Sequence, residues 1–239
     1  MTDTKREKVV LVTGATRGIG HAIAENLADA YPLVITGRSA DQLNALKKKL
    51  NDAGGKVEAI PADLTSSDEI QALVEGAIRS MGRVDCLINN AGMGIFGRVD
   101  EIQEKDFRYV LELNLLAPYL LTKAVLPDMI TRKSGQVINI SSVAGLNGFK
   151  GGGAYAASKF ALNGFTESLR EDVKEFGIAV TAVCPGGVRT EFGGSPAAVR
   201  DFVLEPEDVA HTVRYLVDES ETANTKLIEL KPRRRPDFR

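Results

Sequence analysis

Short apolar runs and longer amphipathic stretches alternate along this chain from one end to the other. "KVVLVTG", "PLVITGR", "KVEAIPAD", "RVDCLINNAG", "QVINISS", "IAVTAVCPGG" and "TKLIELKP" are brief and rich in β-branched residues. Apolarity of that near-continuous kind predicts strands buried on both faces, as in a parallel sheet. Between them, "HAIAENLADA", "SADQLNALKKKLNDAGG", "SSDEIQALVEGAIRSMG", "EKDFRYVLELNLLAPYLLTKAVLPDMI", "YAASKFALNGFTESLREDVKEFG" and "PEDVAHTVRYLVDES" carry a helical period. Two of these open on Ser, and three close on Gly, as helix ends prefer. The alternation implies βαβ units with right-handed crossovers. The expected fold class is therefore α/β: a doubly wound, mostly or entirely parallel seven-stranded sheet with helices on both faces. No linker or composition shift divides the chain, so residues 1–239 read as a single domain, with 1–7 and 232–239 as loose ends.

Ligands of such sheets bind beyond the carboxyl ends of the strands, so the residues there carry the functional reading. The first strand runs into "TGATRGIG", residues 13–20. Gly14, Gly18 and Gly20 permit a tight turn, close approach of a pyrophosphate and close helix packing, and the helix that follows offers free N–H groups to phosphate. The spacing is G-x-x-x-G-x-G. The second strand ends "ITGRS", where an NAD site would carry a carboxylate for the ribose 2′-hydroxyl. Arg38 stands there instead, and Arg17 lies within the glycine loop, so the two can grip a 2′-phosphate. Asp41, the nearest acid, falls in the first turn of the next helix, where negative charge is favoured. The expected cofactor is NADP(H), and the domain reads as dinucleotide-binding.

Composition narrows the field further. Of the 239 residues, 44% are hydrophobic and 26% charged, which excludes disordered and fibrous classes. A net charge of −2 gives no basis for a nucleic-acid partner. No uninterrupted apolar run approaches the roughly 20 residues that span a bilayer, and the polar start "MTDTKREK" is not a secretory signal. Cys86 and Cys184 both lie in strand patterns and read as buried, reduced thiols. Together these point to a cytoplasmic protein without a membrane partner. His21 and His211 lack metal-ligand spacing, so no metal is expected.

In "GGGAYAASKFALNGF", residues 151–165, Tyr155 and Lys159 stand four apart and so share one helix face. A phenol with a pKa near 10 is a poor acid or base at neutral pH. An adjacent ammonium, with a cationic nicotinamide bound, favours the phenolate and brings the phenol toward a working range. Tyr155 could then donate a proton to a carbonyl oxygen while hydride arrives at carbon. "VINISSVAG" supplies Ser141 or Ser142 as a second donor for that oxygen, or as a helix cap.

These motifs together resemble the short-chain dehydrogenase/reductase family of the compact, NADP-preferring, 3-oxoacyl reductase-like type, over roughly residues 8 to 230. "TGATRGIG" resembles its cofactor loop, "NNAG" at 89–92 its fourth-strand motif and "YAASK" its Y-x-x-x-K active site. The resemblance implies a single-domain Rossmann fold and selects Ser142, thirteen positions before the tyrosine, over Ser141. It implies that Asn114 holds a relay water beside the lysine, completing a catalytic set of Asn114, Ser142, Tyr155 and Lys159. For cofactor binding it implies Gly14, Thr16, Arg17, Gly18, Ile19 and Gly20 in the loop, with Arg38 beyond the second strand. Asp63 and Leu64 would lie near the adenine, and Asn90, Ala91 and Gly92 in the strand-four motif. Tyr155 and Lys159 would meet the nicotinamide ribose, and Pro185, Gly186, Val188 and Thr190 the carboxamide.

The expected activity is that of an NADP-dependent oxidoreductase reducing a carbonyl to an alcohol, reversibly. Alternatives are a 3-oxoacyl-thioester reductase acting on an acyl carrier protein and, from another class, a non-catalytic NADP(H)-sensing module. The segment 191–205 reads as a short mobile lid. Met93, Ile95, Phe96, Leu146, Phe149 and Phe192 are candidate walls for a small apolar or aromatic substrate. The two long central helices are candidates to pair subunits into a homodimer or homotetramer.

Overall fold

In the computed structural model, which describes residues 8–194 and 203–233, seven strands form one sheet in the order β3-β2-β1-β4-β5-β6-β7. They are β1 (Val10–Thr13), β2 (Leu33–Thr36), β3 (Val57–Ala59), β4 (Cys86–Asn89), β5 (Gly135–Ile140), β6 (Ile178–Pro185) and β7 (Leu227–Leu230). Every neighbouring pair is parallel. Each crossover therefore needs a helix: α1 (Gly18–Leu27), α2 (Ala40–Asp52), α3 (Ser67–Met81), α4 (Glu104–Leu111) with α5 (Ala117–Arg132), α6 (Gly153–Val173) and α7 (Pro206–Val217).

The strand period divides the core in two. Val10, Val12 and Ile35 pack with Ile23 and Leu27 of α1, Leu43 and Leu46 of α2, and Val213 and Leu216 of α7. Leu11 and Val34, one residue along, face the opposite way and pack with Leu73 of α3, Leu121 and Met129 of α5, and Leu169 of α6. Apolar side chains on both faces are why the strands read as unbroken hydrophobic runs. Edge strand β7 alternates instead, with Leu227 exposed.

One expectation changes in detail. The stretch read as a single long helix is continuous from Glu104 to Arg132, but its middle, Glu112–Leu116, is a turn of π-helix. By length and composition this 29-residue run could cross a membrane. Here Ala117, Leu121, Val125 and Met129 instead pack against the sheet as part of the core. Both cysteines are free and buried.

The strand order reverses between β1 and β4, so the loops after these strands diverge and leave a crevice at their carboxyl ends. Residues 1–7, 234–239 and 195–202, which carry most of the expected loose ends and the middle of the expected lid, lie outside the described residues. The two ends of the lid segment are joined: Val188 and Leu204 form a parallel bridge, and Arg189 pairs with Glu205 at 2.9 Å.

Candidate active site

A cleft of about 1570 Å³ runs over the carboxyl ends of the strands. It begins at the turn after β1. Gly14 and Gly18 adopt φ of 68° and 55°, the left-handed region that only glycine enters without strain. A Cβ added to Gly14 would lie 2.9 Å from the Ala91 Cα, so the glycine loop and the turn after β4 touch backbone to backbone. Asn90 fastens them, its side-chain amide donating to the Thr13 and Gly14 carbonyls at 2.8 and 3.3 Å. The Thr13 hydroxyl accepts from the backbone N–H of both Asn90 and Ala91. Helix α1 then starts at Gly18 without a side-chain cap, whereas Ser39 and Ser66 cap α2 and α3. Its first N–H groups are left for whatever occupies the cleft.

Most of the sequence-predicted residues come together. Gly14, Thr16, Arg17, Gly18 and Ile19 line the cleft, as do Arg38, Asp63, Leu64, Asn90, Ala91 and Gly92. So do Ser142, Tyr155, Lys159, Pro185, Gly186, Val188 and Thr190. Gly20 does not: it packs behind the loop, where a Cβ would meet the Gly14 carbonyl oxygen at 2.2 Å. Asn114 also lies outside the lining. Its fully buried amide accepts from Met93 N–H at 2.9 Å and donates to the Met93 carbonyl and to Ser158 Oγ at 2.8 and 2.9 Å. The π turn that carries Asn114 thereby ties the loop after β4 to α6. Of the candidate walls, Phe96, Phe149 and Phe192 line the cleft; Met93, Ile95 and Leu146 do not.

At the far end stand the groups with chemistry. Lys159, buried on α6, donates from Nζ to the Ile140 carbonyl at 2.8 Å and lies 5.9 Å from the centre of the Tyr155 ring. Burial pulls its pKa down from 10.5 to about 8. Burial also pushes the Tyr155 phenol up to about 12, against the opposing effect of a hydrogen bond from Ser142. In the chain by itself, then, desolvation dominates and keeps the Tyr155 phenol protonated. The cap reading of the serine pair is realised at Ser142, whose Oγ accepts from Ala144 N–H at 3.1 Å and caps the turn Val143–Gly145. Ser141 faces the other way, donating to the Lys159 carbonyl.

Three partners were not legible in the sequence. The Tyr109 hydroxyl accepts from Arg38 at 3.3 Å across the cleft wall. Glu191 pairs with Arg17 at 3.2 Å. Thr13 organises two backbone N–H groups; its position, a hydroxyl in an otherwise apolar strand, is the one signal that could have marked it.

The family model described as short chain dehydrogenase matches residues 8–198. The chain is 34% identical over 225 residues to a 3-oxoacyl-[acyl-carrier-protein] reductase of Synechocystis, covering 90% of this chain and 91% of that one. Among solved structures, it is similar to a metagenomic short-chain oxidoreductase in complex with NADP, with TM-score 0.84, 37% identity and coverage of 95% and 98%. It is also similar to an alcohol dehydrogenase of Thermococcus sibiricus complexed with 5-hydroxy-NADP, with TM-score 0.90, 29% identity and coverage of 97% and 100%.

Proposed function

We propose, because this chain belongs to the short-chain dehydrogenase/reductase family, that it is an NADPH-dependent reductase converting a carbonyl compound to its alcohol, and the reverse. The observation that carries the reading is the convergence of Ser142, Tyr155 and Lys159 on one end of a cleft whose other end is the glycine loop. A cofactor-sensing module has no use for a proton donor there.

The residues present fit NADPH. Gly14 and Gly18 hold the left-handed turn of a loop that lines the cleft, α1 presents uncapped N–H groups to a pyrophosphate, and Arg17 and Arg38 line the same cleft for a 2′-phosphate. The strand end "ITGRS" carries Gly37 and Arg38 where a carboxylate would favour a free 2′-hydroxyl. When bound, the cofactor supplies the hydride. Tyr155 gives its phenolic proton to the carbonyl oxygen, and Ser142 holds that oxygen by a second hydrogen bond. Lys159 steadies the phenolate left behind and holds ribose hydroxyls. Asn114 acts by position, holding the Met93 backbone and α6 in register beside a relay water. Asp63 and Leu64 would hold the adenine, and Val188 and Thr190 the carboxamide, all four lining the same cleft.

The Synechocystis relative supports one second reading, a 3-oxoacyl-thioester substrate on an acyl carrier protein. Subunit pairing fits the exposed apolar side chains Phe107, Leu116 and Tyr119 on the α4–α5 run and Phe160 on α6.

Oxidation of NADPH and of NADH, followed with a panel of ketones, aldehydes, quinones and 3-oxoacyl thioesters, tests the reading. Tyr155→Phe should remove nearly all turnover while leaving NADPH affinity and thermal stability close to the parent's. Lys159→Ala should lose turnover and cofactor affinity together. A Tyr155→Phe enzyme that kept most of its kcat would overturn the mechanism.

A further inference from the structure

Three phenylalanines from three separate segments gather beside the Tyr155 ring, two of them in contact with it. Phe96 follows β4, Phe149 precedes α6 and Phe192 follows β6, and all three line the cleft. Phe96 lies edge-on to Tyr155 with centroids 5.6 Å apart, and Phe192 lies 5.4 Å from the same ring. Phe96 also contacts Phe192 at 6.5 Å and Phe149 at 6.0 Å. These are separations at which aromatic quadrupoles attract. The three remain 43%, 50% and 38% exposed, a contiguous aromatic surface at the very group that must reach the substrate.

Glycines let these rings sit where they do. A Cβ at Gly94 would lie 2.5 Å from Phe96 Cζ and 2.8 Å from Phe192 Cε1. One at Gly193, which has φ of 74°, would lie 2.4 Å from Phe96 Cε2, and one at Gly152 would lie 2.4 Å from Phe149 Cζ. Each ring thus rests on bare backbone, and a side chain at any of the three positions would lift it.

We propose that Phe96, Phe149 and Phe192 form a clamp for flat rings, and that the substrates this site selects carry their carbonyl directly on an aromatic ring. The inference rests on the reductase reading above and deepens it. A carbonyl oxygen bonded to Tyr155 and Ser142 puts a ring conjugated to it in the carbonyl plane, one bond from the reacting carbon. Phe96 and Phe192, in contact with the Tyr155 ring and with each other, line the same cleft. A saturated chain reaching the same phenol gains apolar burial but none of the ring-to-ring attraction. An aromatic box can also hold an organic cation. Here the Lys159 ammonium, 5.9 Å from the Tyr155 ring, opposes a second positive charge, and the occupant is a neutral ring.

The test compares acetophenone with 2-octanone, methyl ketones of equal carbon number, in the NADPH-loaded enzyme. Conjugation lowers the intrinsic reactivity of the aryl ketone, so KM is the informative constant. Acetophenone should show the lower KM by about fivefold or more, the scale of an added aromatic pair. Phe96→Leu and Phe192→Leu, which keep apolar bulk and remove the ring, should each shrink that preference about threefold. Gly94→Ala should shrink it as well, though it removes no ring. A second readout needs no turnover: 1-(2-naphthyl)ethanol fluoresces, the chain contains no tryptophan, and the alcohol's binding with NADP+ present should weaken when the same changes are made in a Tyr155→Phe enzyme, which lacks the phenol needed to oxidise it. Equal KM values, or variants that shift both ketones alike, overturn the clamp while leaving the reductase intact. Stronger displacement of the naphthyl probe by benzyltrimethylammonium than by acetophenone overturns the neutral-ring assignment. No NADPH oxidation with any carbonyl, beside Phe-dependent naphthyl binding, overturns the reductase reading and leaves the clamp.

Discussion

Arg17 holds the Glu191 carboxylate across the cleft at 3.2 Å, and a 2′-phosphate bound by the same guanidinium has to displace it. Both side chains are largely exposed, so the pair itself contributes little, about 0.2–1 kcal/mol. Glu191→Gln should therefore tighten NADPH binding by about two- to fivefold and leave NADH binding where it was. Arg38→Ala should weaken NADPH binding about tenfold or more, since a charge-assisted contact contributes roughly 1.5–3 kcal/mol, with little change for NADH. Titration calorimetry with both cofactors reads these shifts; variants that moved NADPH and NADH in parallel would mean that neither arginine meets the 2′-phosphate. The two arginines were legible in the sequence because each occupies a fixed offset from a strand end. Glu191 and Tyr109 were not, because their contacts cross between the elements and no local spacing records them. The direction of the Tyr155 shift was also hidden. The sequence shows a cation four residues away, but burial, which pushes the phenol up to about 12, depends on the assembled cleft.

At the scale of elements, the seven strands and the α-helices of the described residues were readable from period and from β-branched runs, α4 and α5 as one stretch. The π turn Glu112–Leu116 was not, since one extra residue in a turn hardly disturbs the apolar stripe around it. Such turns occur often at functional sites. This one directs Asn114 inward, where it takes both backbone groups of Met93 and reaches Ser158 on α6. The only sequence signal was a polar residue on an apolar helix face. If Asn114 serves chiefly to join these elements, Asn114→Ala leaves buried polar groups unmatched and should cost on the order of 2 kcal/mol of stability, with kcat falling alongside. Asn114→Asp keeps an acceptor for Met93 N–H but loses both donated bonds, and its melting temperature should fall between those of the parent and Asn114→Ala. A role confined to holding a water would instead lower kcat in Asn114→Ala with no change in unfolding. Denaturant titration beside steady-state rates separates the outcomes.

For the whole molecule, the site that reads as functional is also a place where the fold gives up stability. Lys159 is buried, and desolvation lowers its pKa from 10.5 to about 8. Below pH 8 both folded and unfolded chains carry the charge, and the folded chain bears the full cost of burying it. Between about 8 and 10.5 the folded chain binds fewer protons than the unfolded one, so this group makes stability rise with pH. Above 10.5 the cost is gone. A shift of this size corresponds to roughly 3 kcal/mol, reduced by about 1 kcal/mol for the hydrogen bond from Nζ to the Ile140 carbonyl that a replacement would lose. Lys159→Met, of similar length and without charge, should therefore be the more stable protein at pH 7, by several degrees in Tm for a domain of this size. Its advantage should shrink steadily from pH 8 to 10.5. Cys86, Tyr31 and Tyr155 are each pushed up to about 12 and destabilise the fold as pH rises through 9 to 12, with the opposite sign. They are present in both proteins, and the difference between parent and variant removes them to first order. A constant difference across that range would mean that Lys159 is not buried as a charge, and that keeping it costs the fold nothing. A difference that closes with pH, in a variant without turnover, is what a residue kept for chemistry at the expense of stability should show.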